Sequence, residues 1–187
     1  MRLVLASASP RRREILLKAG YDFSVEKSDF KEVLYPKDPI ATVLCNAVGK
    51  AEDVFGRLKD NAAVVLGADT VVVLGGRIIG KPKDEKDAAD TLSSLSGNTH
   101  TVYTGFALTT EKGTVKDYAE SKVTFPVLDE ETIKAYVKSG KPMDKAGSYG
   151  LQDGFITIKT ITGSKENVIG LPIEKIKPHL AVFMPNL

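Results

Sequence analysis

The sequence predicts an α/β fold in a single domain, residues 1–187. Strand-like and helix-like segments alternate along the whole chain, the pattern of a sheet covered by helices. No internal repeat, low-complexity tract or linker divides it, and 187 residues suffice for a sizeable core, leaving room for two lobes around a cleft. Apolar residues at 42% and charged residues at 27% exclude a disordered or membrane chain.

Taken in order, Leu3–Leu5 reads as a buried strand that runs through the small-residue turn Ala6–Ser9 into a helix. Ser9 is a good N-cap and Pro10 suits the first helical position, so the helix carries Ile15, Leu16 and Leu17 and stops at Gly20. Tyr21–Glu26 alternates weakly as a second short strand, leading to the acidic loop Ser28–Glu32. Asp38 and Pro39 open a long helix whose apolar stripe is Ile40, Val43, Leu44, Ala47, Ala51, Val54 and Phe55. The β-branched run Ala62–Leu74 predicts two strand segments, or one bent strand with its bend at Gly67–Thr70, and Gly75-Gly76 turns it into Arg77–Ile79. Asp84–Leu95 is helical, with Ala88, Leu92 and Leu95 on one face. Thr99–Leu108 and Val115–Val127 form two long strands that look antiparallel around Glu111–Gly113. Asp129 caps a helix ending at Gly140, and a glycine-punctuated loop covers Pro142–Gly154. Phe155–Ile161 alternates as a strand, and Pro172 begins a final helix after Val168–Leu171.

Four places stand out. Arg11, Arg12 and Arg13 crowd a helix start where acidic side chains are favoured, which a multiply charged anion held by backbone N–H groups, Ser7, Ser9 and guanidinium forks would remedy; otherwise the arginines fan into water. Lys50 sits on the edge of an inward-facing stripe, either snorkelling out or aimed at something anionic. Asp69 lies among core-type residues, where a metal, a cation or an Asx-type turn must compensate its charge. Lys81, between Gly80 and Pro82, can reach into a cleft or face solvent.

Familiar phosphate, zinc and nucleophile signatures are missing: no Walker motif, no G-x-G-x-x-G, no H-E-x-x-H and no G-x-S-x-G. His100, among strand Thr and Tyr residues, reads as a structural histidine. A net charge of +2 does not call for nucleic acid or membrane. One cysteine, Cys45, forbids an intrachain disulfide and points to a reducing compartment, and the short N-terminal apolar segment followed by arginines is not a signal peptide. What remains is a set of cations and acids suited to a polyphosphate, a divalent metal and an activated water.

The ordered set Ser7-Ala8-Ser9-Pro10-Arg11-Arg12, Gly67-Ala68-Asp69-Thr70, Gly80-Lys81-Pro82, His100–Gly105, Asp144–Gln152 and Val168–Pro172 resembles the Maf family across essentially the whole chain. These are nucleoside triphosphate pyrophosphatases once described as septum formation inhibitors. The resemblance implies a mixed central sheet flanked by helices, two lobes around a deep cleft as in inosine triphosphate pyrophosphatases, and a cytoplasmic, often dimeric protein. It further implies release of a monophosphate and pyrophosphate with a divalent cation, Mg²⁺ or Mn²⁺. Carried over by position, Asp69 is the proton acceptor, Ser7, Arg12, Lys50 and Lys81 hold phosphates, and Glu32 stands with Asp69 near the metal or water. Arg11, Thr70 and Gln152 match the branch that prefers dTTP and UTP. A glutamine amide presents an acceptor beside a donor, the complement of N3–H and O4 of uracil or thymine. The competing expectation is a regulator of cell division that binds a nucleotide without hydrolysing it; whether housecleaning of nucleotides or division control is the purpose stays open at this level. Binding of nucleic acid through the arginine cluster is disfavoured.

Overall fold

The computed structural model describes residues 1–184; residues 185–187 of the expected domain lie outside the described residues. Strands are β1 (Arg2–Leu5), β2 (Phe23–Val25), β3 (Ala63–Leu74), β4 (Arg77–Ile79), β5 (Thr99–Thr110), β6 (Gly113–Thr124) and β7 (Thr160–Thr162). Helices are α1 (Pro10–Lys18), α2 (Pro39–Leu58), α3 (Glu85–Leu95), α4 (Glu130–Lys138), α5 (Lys165–Ile169) and α6 (Ile173–Phe183). The caps follow the sequence: Ser9 Oγ accepts from Arg12 N, Asp38 from Ala41 N and Asp129 from Thr132 N, each relieving an orphan donor of a first turn.

The strands join in one mixed sheet of order β2-β1-β3-β5-β6-β7, with β4 paired to β3. β1 runs parallel to both neighbours, while β5 runs antiparallel to β3 on one side and to β6 on the other. On one edge β3 meets β5 throughout, from Val65↔Thr109 to Val73↔Thr101. Its other edge is shared: β1 takes Ala63–Leu66 and β4 takes Val72–Leu74. Residues 67–71 therefore have no strand neighbour on that side, and a cleft opens there.

Alternation along the strands loads both faces of the sheet. Leu3, Leu5, Leu66, Ala68, Phe106 and Leu108 pack under α1 and α6 with Leu16, Ile176 and Leu180. Val4, Ala63, Val65 and Ala107 pack against Ala47, Ala51 and Val54 of α2. A second lobe gathers Leu92, Leu95, Val102, Val123, Phe125, Tyr136 and Tyr149 around α3 and α4. Each fully buried Leu or Phe contributes roughly 1.5–3 kcal/mol. Among the described residues no helix is long and apolar enough to cross a membrane.

Two expectations are corrected. β3 is one unbroken strand from Ala63 to Leu74, not two segments. Gly67 serves close approach instead: a Cβ there would stand 2.2 Å from the Ala47 carbonyl oxygen, and one on Gly105 would stand 2.6 Å from that of Val43. Only glycine lets the α2 backbone lie so near the sheet. Phe155–Ile161 is not a strand either; only Thr160–Thr162 pairs with β6. Its apolar alternation serves the second lobe, where Phe155 stacks on Tyr136 with ring centroids 4.7 Å apart, while Ile156 and Ile158 pack on the same cluster.

Candidate active site

The gap beside β3 leads into a cleft of about 700 Å³. Nine residues singled out in the sequence line it, Ser7, Arg11, Arg12, Glu32, Lys50, Asp69, Thr70, Lys81 and Gln152, whereas Arg13 is exposed and stands outside it. Asp69 and Thr70 point to opposite faces of β3, and both reach the cleft because it wraps around the unpaired edge of the strand.

Asp69 faces α2. It lies opposite Gly105 and two residues from Gly67, so both close-approach glycines share its face of the sheet. With the helix backbone drawn in, two side chains of α2 reach the carboxylate: Lys50 Nζ donates to Asp69 Oδ1 at 2.7 Å and Asn46 Nδ2 to Oδ2 at 2.9 Å. Asp69 is only 7% exposed, and this pairing offsets its desolvation. The Asx-turn alternative is thereby excluded, since the carboxylate is held across the sheet-helix interface and not by local backbone.

Lys50 does not snorkel. It is 8% exposed, and besides Asp69 its ammonium reaches Glu32 Oε1 at 2.6 Å and the Ala68 carbonyl at 3.4 Å, so its three N–H donors are all engaged. Glu32 arrives on the loop before α2 with its side chain 56% exposed. Desolvation pushes its carboxyl pKa up, but the Lys50 hydrogen bond and the charges of Lys50, Lys81 and Arg12 together hold it below the usual carboxylate value. Lys81 is exposed at the rim beyond β4.

On the other side of the strand, α1 presents its basic first turn. Arg12 Nη1 donates to Ser7 Oγ at 3.2 Å, Nη2 to Thr70 Oγ1 at 3.2 Å and Nε to the Gly170 carbonyl at 2.8 Å. Burial lowers the Arg12 pKa against the opposing charge of Asp69, with Arg11 adding to the drop; the guanidinium stays charged. Thr70 also bonds Thr104 Oγ1 at 3.0 Å, and Thr104 donates to the Asn167 carbonyl at 2.9 Å, so the arginine is braced by a chain of hydroxyls. Arg11 leaves this group and crosses the cleft to Asp144 Oδ2 at 2.6 Å. Gln152 lies exposed on that far wall beside Tyr149.

Asn46 is the polar contact of Asp69 that sequence reasoning missed. A signal existed: Thr42, Asn46 and Lys50 recur every four residues beside the apolar stripe of α2, a polar ladder along the inner edge of the helix. Thr42 Oγ1 accepts from Tyr35 N at 3.0 Å, and Asn46 bonds both backbone groups of Val33, so the ladder pins the Glu32 loop. His100 is structural as expected: it is 1% exposed, and its Nε2 lies 2.7 Å from the Tyr149 hydroxyl.

No group of three or more His, Cys, Asp or Glu side chains able to hold a metal occurs among the described residues. Two carboxylates sharing one ammonium, open to a polar cleft, still fit a Mg²⁺-type ion, which takes one or two carboxylates and fills its shell with water and phosphate oxygens.

A family model described as Maf-like protein matches residues 2–183. A protein of Moorella thermoacetica named dTTP/UTP pyrophosphatase is 45% identical over 186 residues, covering 97% of this chain and 95% of its own. One of the same name from Clostridium acetobutylicum is 44% identical over 199 aligned positions, covering 100% of both chains. Among solved structures, the Staphylococcus aureus Ham1 protein superposes on 97% of this chain and 99% of its own with a TM-score of 0.55 at 12% identity, a likeness of fold alone. With a match over nearly its full length and relatives well above the level at which a fold is shared by chance, the chain belongs to the Maf-like protein family.

Proposed function

We propose that this protein hydrolyses nucleoside triphosphates, dTTP and UTP foremost, to the monophosphate and pyrophosphate. The observation that carries the proposal is one cleft holding a buried carboxylate, Asp69, between the cationic groups Lys50 and Arg12. The names of the full-length relatives support the substrate class.

Arg12, Ser7 and Lys81 hold the triphosphate, replacing its hydration with charge-assisted hydrogen bonds. Lys50 neutralises the paired carboxylates and is poised to shift toward a phosphate oxygen. Asp69, fixed by Lys50 and Asn46, keeps lone pairs free on both oxygens for a water molecule. That water attacks the α-phosphorus, its proton passes to Asp69, and the bond to the bridging oxygen breaks so that pyrophosphate leaves. Glu32 and Asp69 would hold the Mg²⁺ or Mn²⁺, whose chemistry is to neutralise developing charge on phosphate oxygens. Arg11, Thr70 and Gln152 set the preference for the pyrimidine base. The enzyme acts in the cytoplasm as a homodimer, with no nucleic-acid partner.

A panel of canonical and modified triphosphates with product identification tests this directly: pyrophosphate release, not phosphate release, marks attack at the α-phosphorus. Asp69→Asn is expected to lower turnover by about two to four orders of magnitude while leaving nucleotide binding largely intact. Intact dTTP with measurable binding would favour a non-hydrolytic regulator instead.

A further inference from the structure

We propose that Asn46 is a positioning residue for the hydrolytic step, holding the Asp69 carboxylate in one orientation and locking it to the loop that carries Glu32. The inference rests on the reading of Asp69 as the group that activates water.

The geometry is specific. Asn46 is 2% exposed and lines the cleft. Its amide oxygen accepts from Val33 N at 2.8 Å, and its nitrogen donates to the Val33 carbonyl at 3.0 Å and to Asp69 Oδ2 at 2.9 Å. Clamping the Val33 backbone uses one acceptor and one donor; the remaining N–H is spent on Asp69. Lys50, one turn further along α2, engages the other carboxylate oxygen. A single donor leaves a carboxylate free to rotate about its terminal torsion, whereas donors at both oxygens fix its plane and the lone pairs turned to the cleft. Val33 directly follows Glu32, so the same amide also sets the separation of the two carboxylates. Because water activation depends on near-attack geometry, loss of this amide acts on the chemical step more than on nucleotide affinity.

The test is steady-state kinetics on Asn46→Ala and on the nearly isosteric Asn46→Asp, with dTTP as substrate and Mg²⁺ present. Affinity for a dTTP analogue carrying an α,β-methylene bridge is measured alongside. In both variants kcat is expected to fall about tenfold to a hundredfold. KM and analogue affinity should change by less than about threefold, far below the kcat effect. Asn46→Asp keeps the shape of the side chain, so it carries the test if Asn46→Ala does not fold. A folded Asn46→Asp protein with the kcat of the parent overturns the proposal, as does a loss confined to KM. Asp69→Asn separates the two readings: if it is inactive while Asn46 variants are fully active, only the role of Asn46 falls, and if it is fully active, both fall together.

Discussion

The two walls of the cleft are built in opposite ways. On one, α2 and β3 are regular elements packed at the closest range glycine allows, and Asp69, Asn46 and Lys50 are buried and bonded to one another. On the other, residues 141–154 form three short 3₁₀ turns, Lys141–Asp144, Ala146–Ser148 and Leu151–Asp153, with no long helix or strand. Side chains hold that wall together: Lys145 Nζ reaches the Lys141 carbonyl, Asp144 and Asp153, while the Tyr136 hydroxyl donates to Asp153 and accepts from Gly150 N. The difference suits the two halves of a nucleotide. On the proposed reading the triphosphate, common to every substrate, calls for rigid charge, whereas the base, which varies, would be met by exposed loop side chains such as Gln152.

The strongest test of that contrast removes Lys50. Lys50→Met leaves the Asp69 carboxylate buried without its counter-charge, so stability in urea unfolding should fall by about 3–5 kcal/mol. A variant as stable as the parent would mean the strand wall is not held by this pair. Behind the loop wall the comparable group is His100 of β5, whose Nε2 lies 2.7 Å from the Tyr149 hydroxyl. Burial depresses its pKa from 6.5 to about 4, so the unfolded chain takes up a proton that the native chain refuses. Its stabilisation is complete above pH 6.5, declines as the pH falls, and by pH 4 has cost roughly 3 kcal/mol. His100→Phe should flatten the stability profile in that window, read by thermal or urea unfolding at several pH values.

Smaller effects sharpen the division of labour. Gln152→Ala should lower kcat/KM for dTTP and UTP about tenfold, the worth of one or two hydrogen bonds, and leave stability untouched because the side chain is exposed. Equal activity on dTTP would detach the loop wall from base recognition. Last is the ion pair that bridges the walls, Arg11 with Asp144, whose carboxylate is 59% exposed. Arg11→Gln, which removes this pair and leaves the contact of Asp144 with Lys145, should change stability by less than about 1 kcal/mol, a difference that shrinks further in high salt.

Local signals were legible from the residues alone. Ser9, Asp38 and Asp129 announced their helix starts through capping chemistry that involves only neighbouring residues. The arginine cluster at α1, the misplaced charge of Asp69 and Lys50 on its apolar stripe stood out because each broke a local rule, and Arg11, Arg12, Asp69 and Lys50 line the same cleft. Where alternation was ambiguous, periodicity failed: Phe155–Ile158 alternates like a strand yet packs on α3 and α4, because an apolar face records burial and not the partner that buries it.

What the chain order could not disclose is pairing at a distance. Whether Asp69 sat in a turn or faced a helix depended on the register that sets it against Gly105 and on α2 lying over Gly67. The ladder on α2 marked Asn46 as inward, but what it would meet could not be read for the same reason, since its two partners are 13 and 23 residues away. Sequence by itself determined where the longer helices α1, α2, α3, α4 and α6 start, though not the short α5, and which charges demand an explanation, because caps, periodicity and desolvation act within a few residues. Tertiary structure decided which of those charges meet, because hydrogen bonds of under 3 Å between α2 and β3 exist only once the sheet register and the glycine contacts have brought the two elements together.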